Sequence, residues 1–365
     1  MVAACFTMRH LPLLLTTAAV HESARSCDVT ARVPIRTLPK VTDDGRILFS
    51  DGRALRLSPS AVSSFRQCQL LFRLRHIERL PEPATPNLAA GNLVHETLYT
   101  LFQLPPEERK LDRAQNLFRE LWRKQRRGMR YGPLFGLSPA VSGVPEALRN
   151  HADVDRERAW GLKAFETIRS YFQIEDPSLL TPLGCEQRVA AEISAASAAD
   201  AAIPITGTID RLDAGGSEGG LVVIDYKTGR SPPARFREGA FFQLEIYALL
   251  LRETGKWDPS SGPATLRLIF LGDGETLERR VEEADLQTTA TALRGVWEDM
   301  LQCFRSEVFE PTEGPLCNWC AHRDSCPAFA HERPPELGAA SEVNGGSRTR
   351  SSVRGANRRK SKRRY

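Results

Sequence analysis

Residues 221–230 of this 365-residue chain read LVVIDYKTGR, an apolar run that ends on Asp225, Tyr226 and Lys227 before a Thr-Gly turn. An apolar run bounded in this way is the pattern of a buried strand. Side chains alternate faces along a strand, so Asp225 and Lys227 share one face and Tyr226 takes the other. The preceding IPITGTIDRLD, residues 203–213, reads as a second strand, and DAGGSEGG joins the two as a hairpin turn. Pairing across that hairpin brings Asp210 near Asp225. Two carboxylates held close repel unless a cation lies between them. A hard divalent cation suits one or two carboxylates plus waters and a phosphate oxygen. Lys227 beside it could orient a water or stabilise charge developing on a phosphate. The chemistry that fits is metal-assisted hydrolysis of a phosphodiester. One Asp at a strand end is ordinarily a turn cap, so it is the three residues together that carry this reading.

A second constellation is made of sulfur. Of eight cysteines, Cys317, Cys320 and Cys326 follow a Cys-x2-Cys-x5-Cys spacing that lets three thiolates reach one centre. A disulfide framework does not suit a chain of this size and type. A fourth ligand must come from elsewhere. Spacing leaves two centres open: an iron–sulfur cluster, or a zinc ion held by four thiolates or by three thiolates and His322. Cys5, Cys27, Cys185 and Cys303 read as incidental or buried thiols.

These residues need elements to position them. Residues 57–80 turn helical, with Ser58 as N-cap and Pro59 at the first helical position. Further helices are expected over 88–104, 112–130 and 153–174. The texture then changes to strands over 185–193, 203–213 and 221–227. A helix over 238–254, a strand pair around Gly272–Gly274 and a long helix over 283–304 follow. The expected fold is α/β: a mixed sheet flanked by helices, with a helical N-terminal part and a C-terminal Cys-rich segment over 311–327. Residues 1–55 are expected to be a poorly structured extension, 56–330 one integrated domain, and 336–365 a disordered basic tail.

GTIDRLD followed by VVIDYKTG resembles the central signature of the PD-(D/E)xK nuclease superfamily, above all the nuclease domains of RecB and AddB and the related nucleases of CRISPR adaptation. GNLVHETL resembles that family's Gly-x-x-x-His helix, and FQLEIYALLL its Gln-x-x-x-Tyr helix. The likeness covers residues 57–327. It implies a restriction-endonuclease-like core and a DNA exonuclease that uses Mg2+ or Mn2+ in repair or recombination. His95, Asp210, Asp225 and the Tyr226 carbonyl would be metal ligands, and Lys227 the catalytic lysine. Gln243 and Tyr247, one helical turn apart, would position the lysine and the DNA backbone. Glu186 resembles an acidic position near the family's site, whereas Arg211 and Asp213 read as structural. One departure is that Ile209 precedes Asp210 where the family has proline. The resemblance also points to Cys68, in SSFRQCQLLFR, as the fourth ligand of a [4Fe–4S] cluster with Cys317, Cys320 and Cys326. Such a clamp would close a long loop and so remove much unfolded-state entropy.

Charge narrows the partners. The net charge of +5 conceals an uneven distribution: nine Lys/Arg and no acid lie from Arg348 onward, leaving the body with 41 basic and 45 acidic residues. The tail could attract phosphates. Basic residues also dominate 117–130, a candidate phosphate-tracking face beside which Trp122 and Tyr131 could stack bases, with core packing the alternative for Trp122. Residues 11–20 resemble the apolar part of a signal peptide but are too short to span a membrane. No Gly-x-x-x-x-Gly-Lys-[Ser/Thr] occurs. The expectation is therefore a cytoplasmic, nucleoid-associated nuclease module without its own motor, acting on single-stranded DNA or DNA ends with a separate helicase as possible partner. The alternative is a non-catalytic DNA-binding subunit that keeps the fold and the cluster.

Overall fold

The structure, a computed structural model, describes residues 37–137, 150–194, 202–216 and 219–332. It begins with a short antiparallel pair, β1 (Lys40–Val41) and β2 (Ile47–Leu48). Ile47 and Leu55 are buried in the core, and Leu57 bridges in parallel to Ile205. Residues 37–55 are thus packed against the body, contrary to the expected extension. Two-residue strands are too short to leave a periodic signal. The rest of that extension, with the apolar stretch 11–20, lies outside the described residues, as does the basic tail.

The helix expected over 57–80 is interrupted. α1 (Pro59–Gln67) is capped by Ser58, whose Oγ accepts from the Ala61 amide. At Cys68 the backbone is extended, and its sulfur accepts from the Leu71 amide to cap α2 (Gln69–Phe72). A π-helical turn, Arg73–Ile77, follows. α3 (Pro86–Phe102), α4 (Leu111–Gln125) and α5 (His151–Ile174) complete the N-terminal half.

The sheet is built from β3 (Gly184–Ile193), β4 (Ile203–Ala214) and β5 (Leu221–Lys227). α6 (Ala234–Ala240) and α7 (Phe242–Glu253) then cross over to β6 (Ala264–Phe270) and β7 (Glu275–Val281), and α8 (Glu283–Ser306) ends the domain's regular structure. The spatial order is β3-β4-β5-β6-β7, antiparallel throughout except for the parallel β5–β6 pair. A parallel pair needs a long crossover, and α6 with α7 supplies it. The single helix expected over 238–254 is divided at Phe241.

Two hydrophobic clusters sandwich the sheet. One joins it to α1, α7 and α8, and the other to α3, α4 and α5. β5 feeds both: Val223 points into the first and Ile224 into the second, each fully buried. This is the expected mixed sheet flanked by helices, and β5 is the buried strand its apolar run implied. Among the described residues no helix is long and apolar enough to cross a membrane.

Candidate active site at a fork between two strands

The β4–β5 ladder runs from Ala214↔Leu221 to Arg211↔Ile224 and then parts. The next opposed residues are Asp210 and Asp225, so both carboxylates stand where the strands diverge. Asp210 Oδ2 accepts from the Tyr226 amide at 2.8 Å, replacing the lost ladder bond with a side chain.

The same level of β3 is also irregular. Cys185 packs toward the α3–α5 side, while Val189 and Ile193, at even spacing from it, lie in the α1–α7–α8 cluster. Glu186 sits between them at φ +49°, a left-handed conformation that is uncommon for a residue with a Cβ. The face alternation of β3 is therefore broken at Glu186, opposite Asp210. His95, Glu186 and Asp210 each present a ligand atom, all within 4.8 Å of one another. His95 Nδ1 lies 3.4 Å from Asp210 Oδ2. Burial alone would lower the His95 pKa, but Asp210, with Asp225 and Glu186 behind it, outweighs burial and raises it. Loss of solvent, then the charges of Asp210 and Asp225, raise the Glu186 carboxyl.

Asp225 is buried, and this desolvation together with the Asp210 charge pushes its pKa up to about 6 against the opposing pull of Lys227. Lys227 Nζ comes within 2.6 Å of Asp225 Oδ2, yet that oxygen has no well-directed hydrogen bond. Its charge is therefore met by the Lys227 ion pair alone. Gln243 on α7 grips the other groups. Its Nε2 donates to Asp225 Oδ1 at 3.0 Å and to the Tyr247 hydroxyl at 2.9 Å, while its Oε1 accepts from Lys227 Nζ at 3.3 Å.

Two glycines make these approaches possible. A Cβ at Gly207 of β4 would lie 2.4 Å from the Tyr247 ring, and one at Gly91 of α3 would lie 3.3 Å from Thr228 Oγ1. The Gly of GTID thus serves the Gln-x-x-x-Tyr helix, and the Gly of GNLVH lets α3 close on the end of β5.

A cleft of about 730 Å³ opens over α3, lined by His95, Glu186, Asp210 and Thr228. Leu88, Gly91, Asn92 and Tyr99 also line it. With His95 they fall at helical spacing, so a face argument could have found Asn92 and Tyr99. No pattern in the sequence announces the left-handed Glu186 or the role of Thr228.

The Tyr226 side chain lies on the opposite sheet face, away from the site. Its hydroxyl accepts from Arg211, which is fully buried and paired with Glu175 and Asp213. Arg211 and Asp213 are structural, as expected. Trp122 is buried 4.5 Å from the Trp160 ring centroid, and the Tyr131 hydroxyl accepts from Asn92. Neither ring is available to stack on a base: the amphipathic face of α4 draws Trp122 inward, and Tyr131, beyond the helix, packs 6.4 Å from the Trp122 ring.

Cys68, Cys317, Cys320 and Cys326 line one cavity of about 170 Å³. The segment after α8 docks on the α1–α2 break: the Leu70 amide donates to Glu310 O, and the Thr312 amide to Cys68 Sγ at 3.4 Å. His322 is buried with Nε2 3.1 Å from Glu82 Oε1. Among the described residues, His95, Glu186 and Asp210 are the group of three metal-ligating residues within 4.8 Å of one another.

Residues 56–327 match the sequence model of the PD-(D/E)XK nuclease superfamily. Among solved structures, a Eubacterium rectale protein described as a candidate exonuclease aligns with a TM-score of 0.42 at 12% identity, covering 78% of this chain and 91% of its own. The protein SSO0001 aligns with a TM-score of 0.27 at 16% identity, covering 66% of this chain and 94% of its own. No curated protein matches the chain.

Proposed function

The chain belongs to the PD-(D/E)XK nuclease superfamily, and from that premise we propose that it is a metal-dependent DNA exonuclease of the RecB-like type, acting in repair or recombination. The observation that carries the reading is the fork: three ligand groups converge within 4.8 Å beside the buried Asp225, whose Oδ2 has Lys227 as its charge partner. Like charges so placed, with raised carboxyl pKa values, fit a divalent cation. His95, Glu186, Asp210, Asp225 and the Tyr226 carbonyl are the residues that would hold Mg2+ or Mn2+. The cation would supply charge that polarises a phosphodiester and stabilises its transition state.

The remaining work falls to the chain's own side chains. Lys227 holds a positive charge at the rim of the site, partly exposed and anchored by Gln243 Oε1. There it can face a phosphoryl oxygen on which negative charge grows. Gln243 fixes Asp225 and Lys227 at once, and Tyr247 fixes Gln243.

The four cysteines are the proposed holders of a [4Fe–4S] cluster that staples α1 and α2 to the C-terminal segment. Tetrahedral zinc, with Zn–S near 2.3 Å, would draw four sulfurs to roughly 3.8 Å from one another. The four cysteines line one cavity, and His322, the other zinc-ligand candidate, has its Nε2 on Glu82. A cytoplasmic setting close to the nucleoid and a separate helicase that delivers DNA ends complete the proposal.

The test uses anaerobically purified full-length protein with linear and circular DNA, single- and double-stranded, in Mg2+. Loss of linear DNA with circles intact supports an exonuclease, and cut circles would overturn that part. Iron and sulfide in the same sample support the cluster, and zinc in their place would overturn it.

A further inference from the structure

A second cavity, of about 830 Å³, lies on the β3–β4 edge of the sheet, walled by the N-terminal hairpin and the α2–π-turn segment. Arg53, Arg56, Arg75, Arg79 and Arg188 line it with His76, and no carboxylate does. Five guanidinium groups from three separate stretches of chain would repel one another at such a convergence. Only two are neutralised from outside the wall: Asp51 pairs with Arg53, and Glu82 takes Arg75 in a two-pronged contact of 2.7 and 3.0 Å. Among the described residues no carboxylate pairs with Arg56, Arg79 or Arg188. Two backbone irregularities shape the wall. Arg75 and His76 sit on the π-helical turn, a distortion frequent at functional sites. Arg79 is held at φ +54°, a backbone conformation that arginine rarely adopts.

We infer that this cavity binds the backbone of single-stranded nucleic acid beside the metal-site fork, and this inference rests on the nuclease reading above. Guanidinium forks match phosphate geometry. A cavity, unlike a broad convex face, admits one strand more readily than a duplex. Phe49 also lines it, with the Arg53 guanidinium 5.9 Å from its ring, so an aromatic surface for a base lies beside the cations. The position is right for a strand that continues into the fork. Arg188 stands two residues from Glu186 on β3, and Thr206, at the cavity wall, four residues from Asp210 on β4. At about 3.4 Å per residue these are roughly 7 and 14 Å, one to a few nucleotides from the metal-site carboxylates.

The cavity is also joined to the cysteine segment. Glu82 Oε1 contacts both Arg75 Nε and His322 Nε2, and Arg75 reaches Ser64 Oγ, which also meets His76 Nε2. Arg75 is thereby linked through Glu82 to the cysteine-bearing turn.

The test measures binding apart from cleavage. Full-length protein in EDTA is titrated with a fluorescein-labelled twelve-residue oligothymidylate, a duplex of equal length, and inorganic phosphate as competitor, at several salt concentrations. Compared are the wild type, Arg56→Glu with Arg79→Glu, and Lys110→Glu with Lys256→Glu as a control of equal charge change at exposed sites. The cavity variant is expected to lose at least tenfold in single-strand affinity, and its salt slope to fall by about 1.4, two contacts at about 0.7 each. The control should move far less, and melting temperatures show that all three are folded. Single-strand affinity equal in both variants would overturn the inference. An equal loss for duplex and single strand would overturn its choice of ligand, and phosphate competing as well as the oligonucleotide would show a simple anion site instead. Because no cleavage is read, a protein that binds but does not cut would contradict the nuclease reading and leave the cavity assignment standing.

Discussion

The ring of Tyr247 lies directly on the bare backbone of Gly207, so close that a methyl group there would stand 2.4 Å from Cε1. Two short motifs 40 residues apart are thereby one packing unit: α7 can approach β4, and Gln243 can reach Asp225, because position 207 has no side chain.

Gly207→Ala should therefore destabilise the protein by about 1–3 kcal/mol, the range of an overpacked core, and lower activity by displacing the Tyr247–Gln243 pair. A double-mutant cycle with Tyr247→Ala, followed by thermal melting, checks this. The cost of the methyl group should shrink once the ring is gone; an unchanged cost would contradict the packing account.

Gln243→Leu removes both the donor to Asp225 and the acceptor for Lys227 while leaving α7 packed. Residues that orient metal ligands typically affect metal affinity or activity by about 10–100-fold. Mg2+ titrations of cleavage should show a loss in that range with little change in melting temperature. Wild-type Mg2+ dependence in the variant would show that Gln243 positions nothing.

The pH dependence of stability has a definite sign. Asp225 keeps its proton in the folded, metal-free protein up to about pH 6, whereas an ordinary aspartate loses it near 3.8. The folded state then binds more protons than the unfolded one, so stability falls as pH rises through that window. His95, also raised, contributes in the same direction: its stabilisation is present at low pH and lost as pH rises through its folded value. A cation offsets these charges once they form. The melting-temperature gain on adding Mg2+ should therefore be larger at pH 7.5 than at pH 5, and equal gains would contradict the site's electrostatics.

Arg211 is fully buried between Glu175 and Asp213, with the Tyr226 hydroxyl on the same guanidinium. Arg211→Leu strands two carboxylates and should cost about 3–5 kcal/mol. Melting should recover in part when Glu175→Gln is added; no recovery would mean that the charge left behind is not the cause.

Much of this was legible in the residues themselves. The apolar run into Asp225 gave a strand buried on both faces, and the hairpin gave the pairing that sets Asp210 opposite Asp225. Helical spacing placed Gln243 and Tyr247 together. What the residues did not show is governed by tertiary context. The break at Cys68 arises because its sulfur caps a new helix, a choice no propensity encodes. The hairpin over 37–55 is too short for periodicity. Glu186 has a left-handed backbone, and its carboxylate stands at the fork with His95 and Asp210. Trp122 was ambiguous between base stacking and core, and Tyr131 read as a stacking residue, until the aromatic cluster with Trp160 and Phe135 placed both inside.

The central claim is that Asp225 and Lys227 serve a metal-dependent phosphodiester hydrolysis. The most direct measurement is the rate at which full-length protein digests end-labelled single-stranded DNA with and without Mg2+, compared with folded Asp225→Ala and Lys227→Ala variants. The account predicts digestion that requires the cation and falls by about 100-fold or more in each variant, the scale of removing a transition-state charge contact. Digestion at the wild-type rate in both variants would contradict it.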